Sequence, residues 1–504
     1  MEIKYTSMPG ELALTETLKE CSDLYSEHYG VWSECSKYRK GEKIKLSPSR
    51  IKKWINGNNA HLYQARINGE LIAYAIAIMI KVKDYGVVSW VTQLVVHKSY
   101  RNIDVAKTLL FSIWGWSNHF AWGVITANPY AVRALEKATR RRCTPIRIRK
   151  NRVKLHKVGK DNLPYVDEST VIDVVADKSQ INTEFFVNHS DLDVMIENAS
   201  TDSVPWALGR LDEGWEWFAF TFNDQEQLKL TKDEINKMID ASEETTREAY
   251  SRMILDSNHK WLGHTHQEID FIVDVCDLKE GQRVLDIGCG IGRHCNELAN
   301  RGIVAKGIDY IKEFIAKAES IAVNSSELSQ SYMVGDFREI KLNEKYDAAI
   351  CLYDVIGSFI DDSDNLKILK NIVSCVNSGG KVLLSVMNYE LTESNAKYKF
   401  VFDDTPNQIL DLSSSSVMED TGNIFDPDYY LVDISTHVVY RKELFKNGEK
   451  LPAELIVRDK RYTKKEITEL CEMSGLIVDW ARYVGSGKWN ESRGCPGFCV
   501  NGFS

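Results

Sequence analysis

The densest run of chemically suggestive residues is Val284-Leu285-Asp286-Ile287-Gly288-Cys289-Gly290-Ile291-Gly292-Arg293. Its apolar start predicts a buried strand over 283–287, which breaks into a glycine-rich turn before a helix over about 294–301. Glycines there let the backbone approach a nucleotide-like ligand where a Cβ would clash. Such a turn also occurs in nicotinamide-binding domains, so the downstream residues carry the distinction. A second strand over 305–309 ends in Asp309, and a carboxylate there can accept from both hydroxyls of a ribose. A third, over 332–336, runs into Gly335-Asp336-Phe337. That acid suits the exocyclic amine of an adenine, and the aromatic suits its ring. A fourth strand is expected over 346–353 and a fifth over 381–387, after Ser378-Gly379-Gly380. These acids and glycines fall at strand C-termini, where open α/β sheets bind ligands.

The order of motifs resembles the class I S-adenosylmethionine (SAM)-dependent methyltransferases, over nearly all of residues 260–504. The resemblance implies a Rossmann-like, doubly wound α/β domain over 256–504. It implies that the loop Gly288, Cys289, Gly290 and Gly292 cradles the methionine part of SAM, with Asp286 also in the cofactor site, Asp309 on the ribose and Asp336 and Phe337 on the adenine. Leu352 and Tyr353 would line the face of methyl transfer. Displacement at a sulfonium methyl requires an acceptor that is positioned, desolvated and relieved of a proton. Tyr353, Asp354, His264, His266 and Tyr310 are the candidates for acceptor contact or base. Asp354 reads equally well as a helix cap, and the histidines as surface or packing residues. By the same resemblance Trp261 and His264 stand where a lid closes over SAM.

The tail of the fourth strand, Cys351-Leu352-Tyr353-Asp354-Val355-Ile356, has neither the (Asp/Asn)-Pro-Pro-aromatic clamp nor the Pro-Cys nucleophile of DNA methyltransferases. A small-molecule acceptor is therefore expected. Residues 400–449, rich in Asp and Tyr, are expected to form strands over the site and choose it.

The N-terminal half carries a second pattern. A strand over 87–96 runs into His97-Lys98-Ser99-Tyr100-Arg101-Asn102-Ile103-Asp104-Val105-Ala106 and a helix, and Thr126-Ala127-Asn128-Pro129-Tyr130 opens another. This resembles the GNAT superfamily of acyltransferases over roughly residues 10–150, implying a mixed α/β (α+β) domain over 1–158. In that family the turn (Arg/Gln)-x-x-Gly-x-(Gly/Ala) and the helix N-terminus hold the pyrophosphate of acetyl-CoA. Val96, Arg101, Val105, Ala106 and Asn128 are its counterparts here. Two departures stand out: Asp104 replaces the first glycine, as an anion or an N-cap, and Leu135 stands near the usual catalytic tyrosine. Tyr130 or Gln93 is the alternative. The half is either an acyltransferase or a GNAT-shaped binding module.

Residues 140–157 are basic, with Arg140, Arg141, Arg142, Arg147, Arg149, Lys150, Arg152, Lys154 and Lys157. They read either as a phosphate or nucleic-acid contact, with Trp114, Trp116 and Trp122 nearby, or as a half-exposed strand. The alternation of Ile146 and Ile148 with Arg147 and Arg149 favours the strand. Residues 159–255 are expected as a middle region with a strand over 215–222 and a helical linker over 231–253, opened by a Thr231/Glu234 capping box.

Length and composition fit this plan: 504 residues exceed one ordinary core, and 43% hydrophobic with 27% charged residues is a globular balance. The net charge of −9 does not suggest a nucleic-acid protein as a whole. Eleven cysteines in odd number suggest reduced thiols. Cys289, His294, Cys295, Cys495 and Cys499 lack the paired spacing of a zinc site. The longest apolar run, residues 71–80, is too short to span a bilayer, so a cytoplasmic protein with no membrane partner is expected. Two function classes follow: a bifunctional modifying enzyme, or a methyltransferase whose N-terminal half recognises a substrate such as nucleic acid.

Overall fold

The computed structural model describes residues 3–55, 60–201, 203–256, 263–322, 329–421, 426–445, 453–484 and 497–503. The chain divides into two compact units, 1–246 with 446–455, and 247–445 with 456–504. No helix among the described residues is long and apolar enough to cross a membrane.

The N-terminal unit runs β1 (Lys4–Pro9), α1 (Thr15–His28), α2 (Pro48–Ile55), β2 (Ala60–Ile67), β3 (Glu70–Val82), β4 (Gly86–Val96), α3 (Val105–Trp114), β5 (Ala121–Thr126), α4 (Pro129–Thr139), α5 (Pro145–Asn162), β6 (Ile172–Val174), β7 (Ser179–Asn182), α6 (Leu192–Asn198), β8 (Trp215–Phe222) and α7 (Lys232–Ala241). Asn68 and Gly69 both take positive φ, 50° and 87°, the turn that joins β2 to β3 without splaying them. The strands form one eight-stranded sheet in the order β1-β2-β3-β4-β5-β8-β7-β6. Residues 172–222, expected in a middle region, thus extend the sheet that begins the chain. The Thr231/Glu234 capping box is present in both arms. The expected linker helix is interrupted at Ser242, after which α8 (Glu243–Asp256) begins.

The half-exposed strand expected at 140–157 is instead the helix α5, with Pro145 in its first turn. Ile148, Asn151, Leu155 and Val158 are buried while Ile146 and Val153 are exposed, a helical stripe that a four-residue window cannot reveal. Five of these cations are engaged within the fold. Arg140 lies over Trp116 at 5.3 Å and Arg141 over Trp122 at 4.7 Å. Arg142 pairs with Glu136, Arg147 with Asp224, and Lys154 sits 3.5 Å from the Tyr85 ring centroid.

The C-terminal unit continues with α9 (Thr265–Val275), β9 (Arg283–Ile287), α10 (Arg293–Asn300), β10 (Val304–Asp309), α11 (Lys312–Ile321), β11 (Gln330–Val334), β12 (Tyr346–Cys351), α12 (Asp362–Cys375), β13 (Val376–Met387), α13 (Tyr389–Asn395), β14 (Tyr398–Phe400), α14 (Val417–Thr421), β15 (Tyr430–Asp433), β16 (Val438–Phe445), β17 (Ala453–Lys460), α15 (Lys464–Met473), β18 (Ile477–Val484) and β19 (Gly497–Phe503). Its seven-stranded sheet has the order β11-β10-β9-β12-β13-β19-β18. β9 to β13 are parallel, and β19 runs antiparallel between β13 and β18. The order reverses between β9 and β12, the crevice where open α/β sheets take ligands. Both faces are covered, so β9 reads as an apolar run: Leu285 and Ile287 join one core cluster and Val284 the other.

The expected insert forms a smaller sheet, β14-β15-β16-β17; residues 422–425 and 446–449 of it lie outside the described residues. It holds a buried charge network. Arg441 pairs with Glu443 (2.8 Å) and Asp459, and Asp459 also accepts from Arg461 Nε at 2.9 Å. Asp459 lies between the two guanidinium groups, and Arg441 has Glu443 as a second partner. Asp459→Ala is expected to destabilise the C-terminal unit by about 3–5 kcal/mol, because it removes the carboxylate shared by two buried cations; urea unfolding of the unit's signal checks this.

Candidate functional site

The glycine turn after β9 has three left-handed positions, Gly288, Gly290 and Gly292, with φ of 72°, 53° and 76°. Their surroundings differ. A Cβ on Gly288 would lie 2.3 Å from Val355 Cγ2, and one on Gly292 would meet the Tyr332 ring at 2.6–2.8 Å. A Cβ on Gly290 would meet nothing within 4 Å. The turn is therefore packed at both shoulders and open at its centre, the form of a cradle for a ligand.

Asp309, at the end of β10, braces that turn. Its Oδ2 accepts from the Gly290 N–H at 2.9 Å and its Oδ1 from Ile311 N–H at 2.8 Å. Burial raises its carboxyl to about 6, against the pull of those backbone donors. A carboxylate oxygen can accept more than one hydrogen bond, so a ribose hydroxyl can be accommodated beside these donors. Asp286 is buried below the turn, and burial raises its carboxyl too, with His294 opposing. Its Oδ2 lies 3.6 Å from Cys295 Sγ. Cys289 is buried, so its thiol is pushed up and unreactive.

Asp336 follows β11. Burial works against its charge, but Arg338 holds it below the ordinary carboxylate range through contacts of 2.6–3.1 Å. Phe337 differs from expectation. It belongs to the core cluster, 5% exposed, so its ring packs inward rather than facing a ligand. Leu352 is likewise buried.

The end of β12 carries two consecutive left-handed residues, Tyr353 at φ 57° and Asp354 at φ 64°. Strain of this kind in non-glycine residues gathers at functional sites. Tyr353 is 44% exposed, and its hydroxyl bonds Glu268 of α9. Glu268 also pairs with Arg293 and accepts from His294 Nε2 at 3.0 Å. Burial opposes its charge, yet His294, Arg293 and Tyr353 together hold it at about 2. Sequence reasoning missed Glu268 and Arg293: the amphipathic pattern of α9 does not distinguish a buried carboxylate from a surface one. Asp354 is half-buried; burial first and the charge of Asp459 second raise it to about 7, with Arg461 and Arg441 opposing.

His264 stands at the N-cap position of α9 without making a cap bond. His266 bonds Glu297 at 2.8 Å on the outer side of α10, and Tyr310 lies under Arg247 at 4.8 Å. Trp261 lies outside the described residues.

In the N-terminal unit, Arg101 bonds back to Val96 O at 3.1 Å and to His28 O at 2.5 Å, closing the turn between β4 and α3. Asp104 occupies the N-cap position of α3 but makes no side-chain cap. It sits at φ 65°, the conformation that favours the glycine it replaces, and pairs with Lys107 at 2.9 Å. Val105 is buried and Ala106 half-buried in the first turn of α3. Asn128 caps α4 through the Tyr130 N–H at 2.9 Å, and Tyr130 is exposed.

Comparison with known proteins bears on both units. Residues 284–380 match the model of a methyltransferase domain family, and residues 19–139 that of the acetyltransferase (GNAT) family. A ubiquinone biosynthesis O-methyltransferase of Aeromonas salmonicida is 31% identical over 121 residues, 24% of this chain and 49% of the relative. A glycine/sarcosine N-methyltransferase of Aphanothece halophytica is 26% identical over 133 residues, 26% of this chain and 50% of the relative. The chain thus spans about half the length of the curated relatives it matches. A solved structure of an S-adenosylmethionine-dependent methyltransferase from Clostridium acetobutylicum aligns with 51% of this chain and 97% of its own, at 16% identity and a TM-score of 0.35. The chain joins a domain of the acetyltransferase (GNAT) family to a methyltransferase domain.

Proposed function

We propose that the protein is a SAM-dependent methyltransferase of a small-molecule acceptor, and that its GNAT domain transfers an acyl group from acetyl-CoA. The observation that carries the first part is the open Gly290 cradle braced by Asp309 at the switch point of the sheet. The named activities of the relatives, on ubiquinone biosynthesis and on glycine and sarcosine, support a small acceptor. Engagement of Arg140, Arg141 and Arg142 within the fold does not favour the nucleic-acid alternative.

In this reading residues 288–292 receive the methionine part of SAM, Asp309 the ribose and Asp336 the adenine amine. SAM supplies an electrophilic methyl on a sulfonium. Tyr353, held by Glu268, fixes one wall of the acceptor site, with His264 at its rim. Asp354, poised near neutrality, takes the acceptor's proton. In the N-terminal unit the turn from Val96 through Arg101 to Val105 and Ala106 receives the pyrophosphate, and Asn128 and Tyr130 border the acyl group.

Transfer of labelled methyl from SAM into fractionated cell extract is expected to mark metabolites. Label released by nuclease would return the nucleic-acid alternative. Gly288→Asp is expected to abolish SAM binding in calorimetry. Affinity for SAM should weaken as pH falls through about 6, where the raised Asp309 carboxyl protonates and loses acceptor capacity; Asp309→Asn should bind weakly and remove this step. For the acceptor reaction, kcat should rise with pH through about 7, and Asp354→Asn should lower it by roughly 10²-fold while leaving SAM affinity within about twofold. Asp104→Gly removes an anion from the turn, so it should tighten acetyl-CoA binding measured by calorimetry.

A further inference from the structure

A cavity of 510 Å³ in the C-terminal unit is lined by none of the residues given to SAM or to the methyl acceptor. Its volume falls within the range of roughly 300–1,000 Å³ typical of small-molecule sites. Three segments form its walls: the start of α12 with Asp361 and Asp362, the turn between β15 and β16 with Ser435, Thr436 and His437, and the end of β17 with Lys460. Lys460 follows Asp459 on β17, and alternation sends the two side chains to opposite faces. Asp459 acts on Asp354, so the end of this strand separates the cavity from the candidate methyl-transfer base.

The turn presents His437. Asp433, buried at the end of β15, accepts from Ser435 Oγ at 2.7 Å and from Thr436 Oγ1 at 2.5 Å. Both hydroxyl protons are thereby used, so Ser435 and Thr436 offer lone pairs to a ligand. His437 takes φ 62°, where glycine is the usual residue, and its ring stacks on Tyr389 at 3.6 Å. Its Nδ1 lies 3.0 Å from Glu466 Oε2, which also accepts from the Thr463 N–H at 2.8 Å. Burial opposes the charge of Glu466, but Thr463 and His437 hold it below the ordinary carboxylate range. An ionised carboxylate only accepts, so Nδ1 carries the imidazole proton and Nε2 of the neutral ring is an acceptor. Nε2 makes no hydrogen bond among the described residues.

The two aspartates differ. Asp362 is engaged by Lys460 Nζ at 2.5 Å and by the Tyr462 hydroxyl at 2.9 Å. Asp361 caps α12 through Oδ1 alone, accepting from the Ser363 N–H at 2.8 Å, and its Oδ2 makes no hydrogen bond among the described residues. The open atoms of the wall are therefore acceptors: Asp361 Oδ2, His437 Nε2 and two hydroxyl oxygens. Lys460 adds its remaining N–H donors. With Glu466 counted, carboxylates outnumber the single ammonium of the lining. Such a wall fits a ligand that brings several donors and positive charge.

We propose that this cavity is a second small-molecule site of the C-terminal unit, and that it takes an amino sugar. The sugar's ammonium pairs with Asp361 Oδ2. Its hydroxyls donate to His437 Nε2 and to the Ser435 and Thr436 oxygens, and one accepts from Lys460. His437 sets where a hydroxyl must lie, because Tyr389 fixes its ring by stacking and Glu466 by the bond at Nδ1.

Calorimetry on the full chain with glucosamine, in the absence of SAM and acetyl-CoA, tests the site. Glucosamine is expected to bind. Glucose, which lacks the charge, and cyclohexylamine, which lacks the hydroxyls, should each bind about tenfold more weakly or worse. Asp361→Asn keeps the helix cap without the charge. His437→Gly suits the left-handed turn without the imidazole. Each should weaken glucosamine binding by about tenfold, and a cooperative thermal transition shows that the variant is folded. If one variant fails to fold, the other decides. Absence of glucosamine binding to the wild-type chain overturns the proposal. Equal binding of glucose overturns the role of the ammonium, and equal binding of cyclohexylamine that of the hydroxyls. Glucosamine binding unchanged in a folded variant places the sugar elsewhere on the chain and overturns the site.

Discussion

The hydrogen bonds from Gly290 and Ile311 to the Asp309 carboxylate are the constraint on which the C-terminal site depends. They tie the end of β10 to the turn after β9, so one side chain fixes both the shape of the glycine cradle and its distance from the second strand. A carboxylate suits this task because each oxygen accepts a backbone donor and can accept more than one hydrogen bond. Its burial is costly, as the raised carboxyl shows, and the cost is offset by charge-assisted bonds to the backbone.

Around that cradle the other walls are held by charge. Glu268 gathers Arg293, His294 and Tyr353 at the end of β12. On the insert, Arg441, Asp459 and Arg461 form a buried alternating network beside Asp354. Such networks are demanding, since each member must be satisfied, and they leave few alternative arrangements. The strained backbone at Tyr353 and Asp354 is held between the two.

In the N-terminal unit a single extra residue has a comparable effect. Ile76 of β3 pairs with Gln93 of β4 but Ala77 pairs with Val91, so Thr92 is a bulged residue that sets the side of the sheet Gln93 faces. Without it, strict alternation would have turned Gln93 to the other side of the sheet.

Much of this was legible in the residues themselves. The strand at 283–287, the glycine turn, Asp309, the capping box at Thr231 and the hairpin at Asn68-Gly69 are local signals, and local geometry suffices to produce them. The two domain types followed from motif order. Residues 140–157 misled because two isoleucines alternating with arginines mimic a strand, whereas the helical stripe becomes visible only across three turns. Phe337 misled because motif position does not say whether a ring faces core or crevice. Tertiary structure alone decided the partners of Glu268, the proximity of Asp354 to Asp459, and the pairing of His437 with Glu466. These join residues distant along the chain, and their pairing is set by strand register and packing, which no short window of sequence encodes.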